Sequence, residues 1–228
     1  MSSSKRARTR SSSNESNEHL GGFNLKVKPL NWAQETYLEA IESNDIIFGI
    51  GSAGTGKTYV AATYAAEKLF HRDIKKVIVT RPNIESSPTL GLLPGELEEK
   101  YAPFLEPFHD VFTRAFGKSF YELLIKKGNI EPRPLGYMRG ATFDDAIVLV
   151  DECQNMTVKE FMMLLSRIGK NTKMILSGDH KQCDIRDSGL TDAVERTKHI
   201  KGVESVYFTH DDIVRSNMCK EIIIAYEH

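Results

Sequence analysis

Gly51-Ser52-Ala53-Gly54-Thr55-Gly56-Lys57-Thr58 follows an apolar run, Ile46-Ile47-Phe48-Gly49-Ile50, and leads into an alanine-rich segment from Tyr59 to Phe70. Glycine, four residues, then glycine-lysine and a hydroxyl is the pattern of a phosphate-binding loop. Backbone N–H groups of such a loop curl around phosphate oxygens, and a helix N-terminus completes the anion site. Gly54 and Gly56 let the backbone come close where a Cβ would block it. The expectation is a nucleotide cradle formed by Gly51, Ser52, Ala53, Gly54, Thr55, Gly56, Lys57 and Thr58. In it Lys57 reaches the β- and γ-phosphates, and the Thr58 hydroxyl binds Mg²⁺. The flanks read as a buried strand before the loop and a helix after it.

Composition bounds the rest. With 228 residues, the chain has length for one domain with a full-sized core. A formal charge of -1 gives no global attraction for nucleic acid, so any such surface is local. No apolar run reaches the length of a membrane span, and the polar N-terminus lacks a signal-peptide core. Cys153, Cys183 and Cys219 form neither a paired framework nor a metal-ligand spacing, which suits a reducing cytoplasm.

Residues 1–22 are rich in Ser, Asn and Arg and almost free of apolar side chains, so they read as a disordered tail. Its cluster of Lys5, Arg6, Arg8 and Arg10 could touch nucleic acid, although a solvated tail is the plainer reading. Residues 23–228 then form the P-loop domain, with an insertion at about 82–145. Asn31 reads as a helix N-cap before Trp32 to Ile41. Gln34, three positions on, has two readings. It can close a capping box, or its amide can clasp the N6 and N7 edge of adenine.

Lys76-Val77-Ile78-Val79-Thr80 reads as a second strand, stopped by Arg81-Pro82. Within the insertion, Leu97, Tyr101, Phe104, Phe108, Val111 and Phe112 recur at helical spacing, predicting helices broken at Pro103 and Pro107. That stripe suits core packing better than base stacking.

Ala146-Ile147-Val148-Leu149-Val150 is fully apolar and ends in Asp151-Glu152. A buried parallel strand that delivers acids to a site has this form. Asp151 is the expected Mg²⁺ ligand opposite Thr58, and Glu152 the base that orients and deprotonates an attacking water. Thr157 and Glu160 form a capping box before Phe161, Leu164, Leu165 and Ile168. Lys173 to Ser177 is a fourth strand, and Gln182 just beyond it is placed to reach the γ-phosphate and sense its loss. Val203 to Phe208 is a fifth, before a closing helix with Ile222, Ile223 and Tyr226. Five strands alternating with helices predict a mainly parallel sheet in a three-layer α/β/α sandwich.

With these motifs in this order, the chain resembles the PhoH-family ATPases, whose core is similar to the first RecA-like domain of superfamily 1 helicases. The resemblance runs from about Gln34 to Tyr226. It rests on Thr80-Arg81-Pro82, Leu90-Gly91-Leu92-Leu93-Pro94-Gly95, Met138-Arg139-Gly140, Asp151-Glu152-Cys153-Gln154-Asn155, Ser177-Gly178-Asp179 with Gln182 and Asp184, and Asp212-Ile213-Val214-Arg215. The family usually has Ala where Cys153 stands, a basic residue at Ala141 and Ile at Cys183. The resemblance implies ATP hydrolysis with Mg²⁺, a link to single-stranded nucleic acid with RNA favoured over DNA, and a ring of identical subunits, six by family habit. Unwinding is a form that coupling could take. It would need a second copy, since a superfamily 1 helicase uses two RecA-like domains. The basic tail, with no appended nuclease or RNA-binding module, suggests a minimal single-domain version.

Arg215, after the fifth strand, is the arginine expected to complete a catalytic site, and the reading sends it into a neighbouring subunit. Two other classes compete. A small-molecule kinase would lack a water-activating Glu152 and would need an arginine-bearing lid. An assembly protein would bind ATP with incidental turnover.

Overall fold

The computed structural model describes residue 23, residues 25–82 and residues 97–227. The tail expected at 1–22, and Leu90 to Gly95, lie outside them. In chain order the elements are α1 (Trp32–Ser43), β1 (Ile46–Gly51), α2 (Lys57–Phe70), β2 (Lys76–Thr80), α3 (Leu97–Phe116), α4 (Lys118–Lys126), β3 (Ile130–Pro132), β4 (Ala146–Val150), α5 (Val158–Leu165), β5 (Thr172–Gly178), α6 (Leu190–Thr197), β6 (Val203–Phe208) and α7 (Asn217–Glu227).

The sheet has six strands in the order β3-β2-β4-β5-β1-β6, and every neighbouring pair is parallel. Successive strand residues point to opposite faces, so the apolar runs feed two cores. Ile47, Val77, Val79, Ile147, Leu149 and Ile175 face α1, α2 and α3. Phe48, Ile78, Val148, Val150, Met174 and Leu176 face α5 and α6 through Phe161, Leu164, Ala193 and Val194. A sheet covered on both faces is the three-layer α/β/α arrangement expected.

Three details differ from the sequence reading. The sheet gains a sixth strand, β3, which pairs with β2 from inside the insertion. Three residues ending in Pro132 carry no alternation to read, and an edge position tolerates a proline, which has no N–H, because among the described residues no further strand pairs there. Second, α3 runs unbroken through Pro103 and Pro107. An interior proline costs about 3 kcal/mol, but Leu105, Phe108, Val111, Phe112 and Ala115 are all buried in one core. Burying several such side chains, at about 1.5–3 kcal/mol each, outweighs that cost. Third, Ile168 lies beyond the end of α5, in a bridge with Phe143.

The local signals for helix starts hold elsewhere. Asn31 caps α1 by accepting from the Gln34 N–H at 2.9 Å. Thr157 and Glu160 form a reciprocal capping box on α5. What the fold positions is one end of the sheet. In the order β4-β5-β1, the loops after three adjacent strands carry Asp151-Glu152, Asp179 to Gln182, and the P-loop.

Candidate functional site

The loop between β1 and α2 turns on glycines in left-handed conformation, Gly54 at φ 79° and Gly56 at φ 85°. A Cβ on Gly56 would sit 2.5 Å from the Gln34 amide nitrogen, so both backbone and space require glycine there. Lys57 opens α2 with its ammonium folded back on the loop. Nζ donates to Gly51 O at 2.6 Å, Ser52 O at 2.8 Å and Thr55 Oγ1 at 3.1 Å. Burial pushes its pKa down, and the charges of Asp179, Asp151 and Glu152 push back. A buried ammonium held on neutral carbonyls amid acids is suited to exchange them for phosphate oxygens.

Across the sheet, Thr58 Oγ1 lies 3.4 Å from Asp151 Oδ1, although 93 positions separate them in the chain. Burial raises the Asp151 pKa and the Glu152 charge adds to this, against Arg81 and the Thr58 hydrogen bond. Glu152 itself adopts the left-handed backbone, φ 53°. A non-glycine residue there is uncommon, and such strain clusters at functional sites. Its carboxylate accepts from Arg81 Nη2 at 3.1 Å on one oxygen and from Gln154 Nε2 at 2.6 Å on the other.

Gln154 is buried, and its amide ties the two strand ends together. Nε2 also donates to Gln182 O at 3.1 Å, and Oε1 accepts from the Asp179 N–H at 3.0 Å. Asn155 repeats the stitch with Asp184, donating at 3.0 Å and accepting the Asp184 N–H at 2.8 Å. Burial and the nearby acids hold the Cys153 thiol well above its ordinary pKa, within the core that faces α5 and α6.

A cavity of about 400 Å³ opens over these groups. Among its lining residues are Gly54, Gly56, Lys57, Thr58, Asp151, Glu152, Asp179, Gln182 and Arg215, with Pro107 and Val111 of α3 on one wall. The volume falls in the range of small-ligand sites, about 300–1,000 Å³. Gln182 and Arg215 therefore share one cavity with the P-loop of their own chain. The sequence reading sent Arg215 into a neighbour; here Val214 N–H donates to Gly54 O at 3.0 Å, which folds that turn onto the loop.

Gln34 sits behind the loop rather than in the cavity. Its side chain is almost fully buried, donating to Thr55 O at 2.9 Å and accepting from the Leu30 N–H at 2.9 Å. It thus reaches past the N-cap residue instead of closing a box on it, and links α1 to the loop.

The residues fit a nucleotide and its cation. Asp179 lines the cavity that also holds Asp151 and Thr58; it is 6% exposed, and its Oδ2 has no hydrogen-bond partner among the described residues. A buried carboxylate oxygen left unpaired is costly, and a hydrated cation or its waters would satisfy it. The hydroxyl and carboxylate oxygens of Thr58 and Asp151 are the hard donors Mg²⁺ prefers.

Sequence reasoning assigned no role to Gln154, Asn155 or Asp179. Their signals are position, as polar residues directly after two apolar strands, and membership of the motifs that carry the family resemblance.

A family model described as PhoH-like protein matches residues 26–227. Protein PhoH of Escherichia coli (strain K12) is 44% identical over 201 residues, covering 86% of this chain and 57% of that protein. The PhoH-like protein of Bacillus subtilis (strain 168) is 42% identical over 216 residues, covering 93% and 67%. That of Synechocystis sp. is 40% identical over 204 residues, covering 88% and 62%. The chain thus spans between 57% and 67% of the length of these curated relatives. The crystal structure of Pif1 helicase from Candida albicans aligns over 80% of this chain and 41% of that one, at TM-score 0.38 and 17% identity, too remote to bear on function.

Proposed function

This chain belongs to the PhoH-like protein family, and on that premise we propose that it binds and hydrolyses ATP, coupling turnover to work on single-stranded nucleic acid, RNA ahead of DNA. The observation that carries the ATPase reading is the meeting of Thr58 and Asp151 beside Lys57, with Glu152 adjacent and one cavity over all four.

In this proposal the backbone from Gly51 through Ser52, Ala53, Gly54, Thr55 and Gly56 cradles the phosphates, and Lys57 trades its loop carbonyls for β- and γ-phosphate oxygens. Thr58 and Asp151 would hold Mg²⁺, which supplies neutralising charge to the phosphate oxygens when bound. Glu152 aims the attacking water and takes its proton. Gln182 contacts the γ-phosphate and reports its loss through Gln154, to which its backbone is bonded. Arg215 neutralises charge on the transferring phosphoryl group from the rim. Gln34 supports the loop and, by exchanging its present partners, reads adenine.

The unit that does this is residues 23–228, with the insertion at about 82–145, working in the cytoplasm. No helix among the described residues is long and apolar enough to cross a membrane. Self-association into a ring has one supporting observation: Met218, Ile222 and Tyr226, four residues apart along α7, are 70%, 51% and 90% exposed and make one apolar stripe.

The test is phosphate release from ATP with no acceptor present, with and without single-stranded RNA or DNA, and with Lys57→Ala as the control. We expect release, stimulation by RNA, and neither binding nor release in the variant. ADP formed only when a small-molecule acceptor is present, with the phosphoryl group on the acceptor and none released, would favour a kinase. Release unaffected by nucleic acid would favour an ATP-dependent assembly protein.

A further inference from the structure

We infer that Arg81 restrains Glu152 until a phosphodiester of bound single-stranded nucleic acid takes over its guanidinium. This rests on the ATPase reading above and adds how the polymer would reach the chemistry.

The restraint is visible in the carboxylate's partners. One Glu152 oxygen faces Arg81 Nη2 at 3.1 Å and the other faces Gln154 Nε2 at 2.6 Å. A water to be activated must compete for lone pairs already directed at two donors. The two donors are not equally movable. Gln154 is buried and pinned by the Asp179 N–H and the Gln182 carbonyl. Arg81 is 37% exposed in its side chain, and its ion pair among the described residues is with Glu152. Of the two, only Arg81 can leave without dismantling the join between β4 and β5.

Its position decides what would draw it away. Arg81 directly follows β2, and Arg133 directly follows the neighbouring β3, where its N–H donates to Val79 O at 2.9 Å. In the parallel register Val79 pairs with Pro132, so Arg133 stands level with Thr80, and its guanidinium is held by Glu131 and lies over the Phe143 ring, which leaves Arg81 as the cation that this corner of the sheet can offer. A partly exposed ion pair contributes little, whereas a guanidinium binds phosphate bidentately and a strand offers a row of them. The exchange is therefore favourable for a phosphodiester, and a strand drives it further by presenting many of them. By linkage, the polymer bears the cost of breaking the Arg81–Glu152 pair, and it recovers that cost when Glu152 no longer competes.

That reciprocity supplies a test that needs no hydrolysis. Binding of fluorescent oligouridine RNA is measured without nucleotide for the wild type, Glu152→Gln, Arg81→Ala and the double variant. Glu152→Gln should bind about threefold to fivefold more tightly, the range a surface ion pair gives. In the Arg81→Ala background the same substitution should change nothing. An equal gain without Arg81 would reflect net charge alone and overturn the pairing; so would no gain. Turnover gives the second arm. Arg81→Ala should hydrolyse ATP several-fold faster than wild type without RNA and lose most of its stimulation. A slower basal rate, or stimulation retained in full, would overturn the restraint. A wild type that hydrolyses nothing would sink the ATPase reading, while the binding cycle still decides the pair. If no variant binds the oligonucleotide, the polymer is not the releasing ligand.

Discussion

Lys57, Thr58, Asp151 and Glu152 could be brought to one place from the sequence because each stands at a set spacing within one short segment, and one cavity holds all four. The amides were not readable, because Gln154 acquires its role from Asp179 and Gln182, which lie 25 and 28 positions away. Two predictions belong to single residues. Glu152→Gln keeps the side chain's shape and its left-handed backbone demand but removes a base. Turnover should fall by roughly 10²–10⁴ while ATP affinity, measured by equilibrium binding, survives. Loss of affinity instead would mean Glu152 holds the cation and Asp151 does not. Gln34→Ala separates two contributions in one experiment. Removing its bonds to Thr55 O and Leu30 N loosens the loop and should lower ATP and GTP affinity alike. Any reading of adenine appears as an extra loss for ATP alone, and we expect that extra loss. Equal losses would leave Gln34 as a loop support only.

The elements were legible where apolar runs were long and bounded, as in β1, β2, β4, β5 and β6. They were illegible where tertiary packing overrode a local rule. The prolines of α3 are the clear instance: a breaker read in isolation is outvoted by the buried face on either side of Pro107. β3 is the converse, three residues made a strand only by the β2 edge they meet. Local rules did decide α5. Thr157 takes the Glu160 N–H while the Glu160 carboxylate returns to the Thr157 N–H at 2.8 Å, and the helix buries Phe161 and Leu164 against the sheet. Thr157→Ala should therefore cost about 1 kcal/mol in urea denaturation, with the m-value unchanged, and Thr157→Ser should cost much less. A neutral Thr157→Ala would mean that packing alone holds the start of α5.

At the scale of the whole molecule the open question is whether one chain makes a complete site. The position of Arg215 beyond the fifth predicted strand could not distinguish a residue that turns outward to a neighbour from one that turns back. The turn is strapped at two points: Val214 N–H donates to Gly54 O, and Asn31 Nδ2 donates to Asp212 O at 3.1 Å. The Arg215 side chain then lies against the loop, its Cδ 3.2 Å from where a Cβ on Gly54 would be. An arginine on the transferring phosphate contributes roughly 10³–10⁵ in rate, in cis or in trans. Head-to-tail rings can share such a residue between subunits, so subunit mixing decides. Arg215→Ala retains Lys57, and Lys57→Ala retains Arg215. If the arginine served a neighbour, mixed rings would unite an intact loop with an intact arginine and regain activity. The cis geometry predicts no regain, because neither chain holds both groups. Chains shown to exchange, by energy transfer between labelled subunits, should stay inactive at every mixing ratio. Recovered turnover would instead make Arg215 a residue shared between chains, and specific activity should then rise with protein concentration as well.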